Sequence, residues 1–399
     1  MRNPLIMCIF APDFRQKEKK MIPIDHMQFA GIVLTSALTA MLSFMLPQWQ
    51  KESKVYNSSR WLMTAGTVLL PVQFLLQYTL HFRQMGVTQA VMVNLLFFVP
   101  AACLISLAVL NLLRQGRVKR REWAVGLLTY IMVVATLIGA ALSDGQPLLT
   151  DTALMRTAEM VSAVMYLVMQ IYYCALEVME LRRLKRALEG YYDHDKNELL
   201  RWMNISVILL GLSGLMAPIA IFWSNGWLLV YSLTLFFTIF YCVISFYSYG
   251  IDPGRQKELS DAEESAEESG LNEETETVLF DEKDRARVEK AVNRWMAKKG
   301  HLKQGINIAH VVIETGISRY QFTLWLKTTE WELFNPWLTH IRLEEAKKLL
   351  AEHHDWSSET IAEKCGFSSR SYFQTIFKKQ TGMTPAQYVE EQQKNDMSK

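Results

Sequence analysis

The sequence predicts an all-α fold in two unlike halves joined by an acidic linker, and three observations predict it. Seven apolar runs, each about 20 residues or longer, fill the chain up to residue 250. Ten acidic residues against two basic ones then crowd residues 252–276. From Asp281 onward apolar residues return at helical spacing, punctuated by glycine turns. The whole-chain figures, 50% hydrophobic residues and a net charge of +2, average over these regions and describe none of them. The expected domains are an N-terminal arm at 1–26, a helical bundle at 27–250, the linker at 251–280 and a second helical domain at 281–399.

The apolar runs lie at 27–46, 61–80, 87–113, 123–143, 154–178, 202–223 and 227–249, and six of them contain no Asp, Glu, Lys or Arg. The polar stripe that a core helix of a water-soluble protein shows every three to four residues is missing. Trp49, Trp61, Trp123, Trp202, Trp223, Trp227 and Tyr249 stand near the run ends, where amphipathic rings favour the headgroup layer. The expectation is a polytopic seven-helix membrane bundle in contact with membrane lipid.

Loop charge orients it. Sixteen Lys and Arg lie in loops 47–60, 114–122 and 179–201 and in the first residues of the tail, while Arg83 alone lies in loops 81–86, 144–153 and 224–226. The positive-inside rule then puts the C-terminal half in the cytoplasm. The arm, with Arg2, Arg15, Lys17, Lys19 and Lys20, runs against the rule. Translation from Met21 instead of Met1 removes the conflict, and both starts stay open. Leu5–Ala11 is too short for a signal-peptide core.

Charge within the spans is confined to Arg156, Glu159 and Glu177 of the fifth run. Ionisable groups at membrane depth are candidate sensor residues, and Arg156 and Glu159, three apart, share a helix face and can pair. Pro71, Pro100 and Pro218 interrupt backbone bonding in their runs. The external loops are too short for a folded ligand-binding domain. A signal therefore enters the bundle as a small molecule, comes from the lipid, or comes from another membrane protein.

Catalysis finds no support. HExxH, GxSxG and P-loop patterns are absent from the sequence. The five cysteines show no CxxC or Cys/His metal spacing and read as small buried hydrophobes. Asp193-His194-Asp195 and His353-His354-Asp355 read as solvated turns. The expectation is no enzyme, no cofactor and no metal. The linker holds almost nothing apolar, so it reads as a flexible tether, with ends about 25–30 Å apart for a flexible chain.

The last 120 residues are the most specific. Asp284–Lys299 is a helix stopped by Gly300; a short helix follows around Ile306–Ile313. Thr315-Gly316-Ile317-Ser318 is a turn and N-cap, and Arg319–Lys327 is the next helix. A connecting helix, Asn335–Glu352, leads to a second pair at about Ser358–Glu363 and Ser368–Lys379, with Gly366 at the turn and Ser368 as cap. Phe322, Leu326, Phe373 and Phe377 face the core. Two helix-turn-helix units about 50 residues apart, with polar and basic second helices, suit two successive DNA major grooves.

Gly316-Ile-Ser318, Phe334, Arg342-Leu, Ala346, Leu350, Ile361-Ala362, Gly366-Phe367-Ser368, Phe373, Phe377-Lys378-Lys379, Gly382, Thr384-Pro385 and Tyr388 resemble the AraC family of transcription regulators. The resemblance spans Arg285–Val389, with Val389 where the family usually has arginine and Trp325-Leu326-Lys327 where Phe-Lys is usual. It implies double-stranded DNA as partner, together with RNA polymerase and a second copy of the chain. The DNA-facing positions are Arg319, Tyr320, Thr323 and Lys327 in the first unit, and Arg370, Ser371, Gln374 and Thr375 in the second, with Lys378 and Lys379 on phosphate. The function expected is a membrane-embedded one-component regulator in a bacterial inner (cell) membrane. A transporter or membrane scaffold with a regulatory DNA-binding tail, or a factor released by proteolysis, stays open as an alternative.

Overall fold

A computed structural model describes residues 22–45, 53–194, 196–222, 225–275 and 281–397. The arm before residue 22, with the choice of start, Cys8, Trp49, Trp223, Asp195 and the linker end at 276–280 lie outside the described residues. The described residues are helical, with one isolated antiparallel bridge, Tyr192–Asn307. They divide into two compact units: residues 1–181 with 202–253, and residues 182–201 with 254–399.

The first unit contains α1 (Ile22–Phe44), α2 (Lys54–Thr79), the single turn α3 (Phe82–Met85), α4 (Val87–Leu113), α5 (Arg120–Asp144), α6 (Ala153–Tyr191) as far as Leu181, α7 (Asn197–Phe222) from Trp202, and α8 (Asn225–Gly250). α2 packs between α1 and α4, α4 against α5, and α1 against α8. Gly66 lets α2 approach α4 closely: a Cβ there would lie 2.9 Å from Ile105 Cγ1 and 3.0 Å from the Ala101 carbonyl oxygen. Small residues bring helix backbones together in this way. Val99, Leu107, Leu110, Val133 and Tyr173 form the buried centre. The outward faces stay apolar, with Leu127, Leu142, Val168, Ile208 and Phe237 all more than half exposed. Water penalises such a surface and hydrocarbon does not.

Six of these helices are long and apolar enough to cross a membrane: α1, α4, α5, α6, α7 and α8. The expected count was seven, and α2 is the exception. It carries Ser59, Arg60, Thr64, Thr67, Gln73 and Gln77, and it buries all six inside the unit. The Arg60 guanidinium donates to the carbonyls of Leu42 (2.9 Å) and Ser43 (3.4 Å) at the end of α1. It satisfies acceptors that a helix terminus leaves open.

The expected Arg156–Glu159 pair does not form. Arg156 instead grips Asp151 with two hydrogen bonds of 2.6 Å, because Asp151 lies just ahead of α6, where a fork of two donors reaches both carboxylate oxygens. Glu159 is buried beside Thr88, and Glu177 is completely buried beside Ser106. Of the cysteines, Cys103, Cys242 and Cys365 are buried and Cys174 is half-buried, all as free thiols.

The second unit begins with the last turns of α6 and continues with α9 (Pro253–Thr275), α10 (Glu282–Ala297), a 3-10 turn (Gly300–Leu302), α11 (Ile308–Thr315), α12 (Arg319–Lys327), α13 (Phe334–Glu352), α14 (Ser358–Lys364), α15 (Arg370–Thr381) and α16 (Pro385–Met397). Lys299, not Gly300, takes the left-handed position (φ 58°) that ends α10.

α9 corrects the expectation of a flexible tether: Pro253–Thr275 is helical. Leu259 and Ala262 are buried on one face, and the acidic residues that looked unpartnered meet the basic stretch after Leu181. Arg183 pairs with Glu263, Lys196 Nζ with Glu258 (2.9 Å), and the Tyr192 hydroxyl donates to the Glu258 carbonyl (3.2 Å). The linker composition lacked a core because its partner lies about 70 residues earlier in the chain.

Leu259→Asp should expose α9. Burial of one leucine contributes about 1.5–3 kcal/mol, so cleavage of 253–275 by a glutamate-specific protease should accelerate by about tenfold or more. Equal cleavage of wild type and variant would mean that the segment behaves as a tether after all.

Candidate nucleic-acid interface

Each helix-turn-helix is fixed by local chemistry. Asn307 caps α11 through the His310 amide (3.1 Å), and the His310 ring accepts the Asn307 amide in return. Gly316 ends α11 at φ 70°, and Ser318 and Gln321 form the reciprocal cap of α12. Phe322, Trp325 and Leu326 bury one face of α12; Phe322 and Trp325 pack on Trp337 of α13, and Phe322 also meets Phe334. In the second unit Ser357 caps α14, and the cap of α15 is Ser369 rather than the expected Ser368. The extended backbone of Ser369 lets its hydroxyl accept from the Tyr372 amide (3.2 Å). Phe367, Phe373 and Phe377 close the core with Leu343, Ala346 and Ile361.

The turn glycine of the second unit is fixed twice over. Gly366 sits at φ 76°, and a Cβ would lie 2.5 Å from the Leu302 carbonyl oxygen and 3.1 Å from an Arg342 nitrogen. The turn therefore presses directly on the segment that precedes the first unit.

Arg342 occupies that junction. It stands on the apolar face of α13, one turn from Leu338 and one from Ala346, and is 1% exposed. Its guanidinium donates to the carbonyls of His301 (2.8 Å) and Lys303 (2.6 Å) and to Asp193 Oδ2 (3.1 Å). Asp193 Oδ2 also accepts the backbone amides of Gly305 (3.0 Å) and Ile306 (3.2 Å), while Oδ1 contacts the His194 ring at 2.7 Å. Asp193 is 3% exposed, so the reading of 193–195 as a solvated turn fails at its first residue. Two backbone donors and a guanidinium converge on it, which water would otherwise have to replace. His354 and Asp355 are exposed as expected, whereas His353 is half-buried, stacked on Trp356.

The predicted contact residues fall into two groups. On α15, Arg370, Ser371, Thr375, Lys378 and Lys379 are exposed and Gln374 is half-buried, a polar and basic row along one capped helix. On α12, Lys327 is exposed, but Arg319, Tyr320 and Thr323 are half-buried, and Thr323 Oγ1 is buried without a hydrogen-bond partner. The end of α6 lies against this part of the unit. The Arg319 guanidinium sits 6.0 Å from the Tyr191 ring centre, Tyr192 bridges to Asn307, and Gly190 lies against Leu333. Sequence reasoning missed Tyr191 and Asp193. The signal available was Arg342 itself, since an arginine on the apolar face of a helix requires an acidic partner.

Burial pushes the Asp193 carboxyl up, but the His194 ring and the Arg342 guanidinium outweigh it and hold the group below its ordinary value. A depressed carboxyl contributes stability that is present above the unfolded value, about 3.9, and lost as pH falls through the folded value. The gap in thermal stability between wild type and Asp193→Asn should be full at pH 5–7 and shrink below about pH 4. A gap unchanged at pH 3 would assign the effect to shape instead of charge. Arg342→Leu leaves a buried carboxylate without its cation and should cost about 3–5 kcal/mol in denaturant titrations.

Comparison with known proteins bears on residues 311–391, which match the family model for a helix-turn-helix domain. The regulatory protein PocR of Salmonella typhimurium is 33% identical over 95 residues, 24% of this chain and 31% of its own length. The probable transcriptional regulator LumQ of Photobacterium leiognathi is 30% identical over 112 residues, 28% of this chain and 44% of its own. The uncharacterized transcriptional regulatory protein YesN of Bacillus subtilis is 40% identical over 62 residues, 15% of this chain and 17% of its own. The chain thus spans less than half the length of each of these relatives. No solved structure matches it.

Proposed function

We propose that this chain is a membrane-embedded, one-component transcription regulator of the AraC type. Its two helix-turn-helix units read double-stranded DNA in the cytoplasm. The observation that carries the reading is the row Arg370, Ser371, Thr375, Lys378 and Lys379, exposed along a helix whose opposite face is locked into a core by Phe373 and Phe377. Such a helix presents its outward side chains to base edges and phosphates in a major groove. The helix-turn-helix match and the regulator names of the relatives support it.

In this reading the apolar helices hold the chain in an inner membrane, with α2 crossing as an interior helix whose polar face turns toward its neighbours. The buried carboxylates Glu159 and Glu177, with Arg156 at the outer end, are where a small-molecule, lipid or membrane-protein signal would act. The proposed division is arm, bundle, acidic helix and DNA reader. RNA polymerase and a second copy of the chain are its proposed protein partners. No enzymatic step is proposed.

Arg pairs bidentately with guanine, and a lysine on phosphate carries no sequence information. Arg370→Ala should therefore weaken binding by about 1–3 kcal/mol and relax preference at one base position. Lys378→Ala should weaken binding to all sequences alike and reduce the salt slope by about one. Titrations of the full chain on a base-substitution series at three salt concentrations separate the two. Equal, sequence-independent losses for both variants would sink the assignment.

A further inference from the structure

The two proposed reading helices differ in what surrounds them. α15 exposes most of its predicted contact residues, whereas the first turns of α12 are half-buried, with Arg319 held over the Tyr191 ring. Tyr191 is 8% exposed and belongs to a segment anchored at several points. Asp193 binds the amides of Gly305 and Ile306 and the Arg342 guanidinium, and Tyr192 bridges to Asn307. Behind that segment lies the acidic α9. Burial pushes the Tyr191 and Tyr192 phenols up, and the carboxylates of Asp261, Glu264 and Glu258 add to the shift. The acidic side chains of α9 thus stand close to the tyrosine that faces Arg319.

Two physical limits make this arrangement exclusive. A recognition helix enters the major groove with its N-terminal residues against the bases. The groove is about 12 Å wide, and a helix with its side chains is about 10–12 Å across, so a tyrosine stacked on the first turn has no room to enter with it. Phosphates brought to Arg319 would also approach Asp261 and Glu264 and be repelled.

We propose that residues 190–192, backed by α9, form a DNA-competitive cover on the first helix-turn-helix. The surface built from Asn307, Arg319 and Leu333 is a docking site for this chain's own α6 terminus, while Asp193 stays bound to Arg342. While the cover is seated, only α15 is open to DNA, and the chain grips half of its site. When it leaves, α12 enters a second groove. This rests on the reading of α12 as a groove-entering helix.

The bridge supplies the test. Residues opposite each other in an antiparallel bridge have Cα atoms about 4.5–5.5 Å apart, within the range that a disulfide spans. Tyr192→Cys with Asn307→Cys, in a Cys8→Ser background, should lock the cover when oxidised and free it when reduced. The Asn307 cap is lost in both states, so the comparison is internal. The probe is a duplex pool selected from random sequence on the reduced full-length protein in detergent micelles. The oxidised form should bind about tenfold or more weakly, with a shallower salt dependence, and recover on reduction.

Equal affinity in the two redox states overturns the cover. A second variant, Tyr191→Ala, removes the ring over Arg319 and leaves Asp193 in place. It should bind the pool several-fold more tightly than wild type, and unchanged or weaker binding counts against the cover. If neither the reduced protein nor wild type binds any duplex, the DNA-reading assignment itself falls, and the cover falls with it.

Discussion

The second unit depends on one buried ion pair. Arg342 is desolvated on the inner face of α13, a placement that costs several kcal/mol unless every donor finds an acceptor. It is offset by two carbonyls of the 301–303 segment and by Asp193, two residues past the end of the helix that began in the first unit. Through the same few ångströms Arg342 touches the position where Gly366 forms the second turn. The two helix-turn-helix units and the segment 182–201 therefore share one polar centre, and none of them is completed by its own residues alone.

The first unit shows a related economy. The polar groups of α2 face inward, where Arg60 closes the end of α1 and where the side-chain amides of Gln73 and Gln77 both donate to Asn94 Oδ1. Pairing of this kind lowers the cost of burying polar side chains in an apolar bundle. Their presence removes α2 from the helices apolar enough to cross a membrane by composition, although it is long enough at 26 residues.

Much of the local structure was legible because it is encoded locally. Gly316 and Ser318 set α12, and the phenylalanines at 322, 373 and 377 went to the core as spacing required. The cap of α15 was misplaced by one residue because two serines, 368 and 369, stand side by side, and only backbone angles choose between them. What stayed hidden is long-range. The helicity of α9 depends on partners 62 and 80 residues away, and the burial of Asp193 depends on a residue 149 positions later. Composition described an acidic segment and a charged turn correctly and said nothing of what would meet them. The exposed row on α15 was readable from the family resemblance; the half-buried state of Arg319, Tyr320 and Thr323 was not, since a helix face shows no sign of what docks on it.

The pairing of α9 with the basic end of α6 has a consequence in time. Chains emerge from the ribosome N-terminus first at about 5–20 residues per second, so the 80 residues between Arg183 and Glu263 take about 4–16 seconds to appear. Throughout that interval the basic stretch Arg182, Arg183, Lys185 and Arg186 stands before the acidic helix that Arg183 later meets at Glu263 has been made. That is the interval in which a nascent membrane chain commits each loop to one side. In the orientation we propose, the basic stretch acts twice: first as an address during insertion, then, once the acidic helix arrives, through Arg183 as an anchor for it.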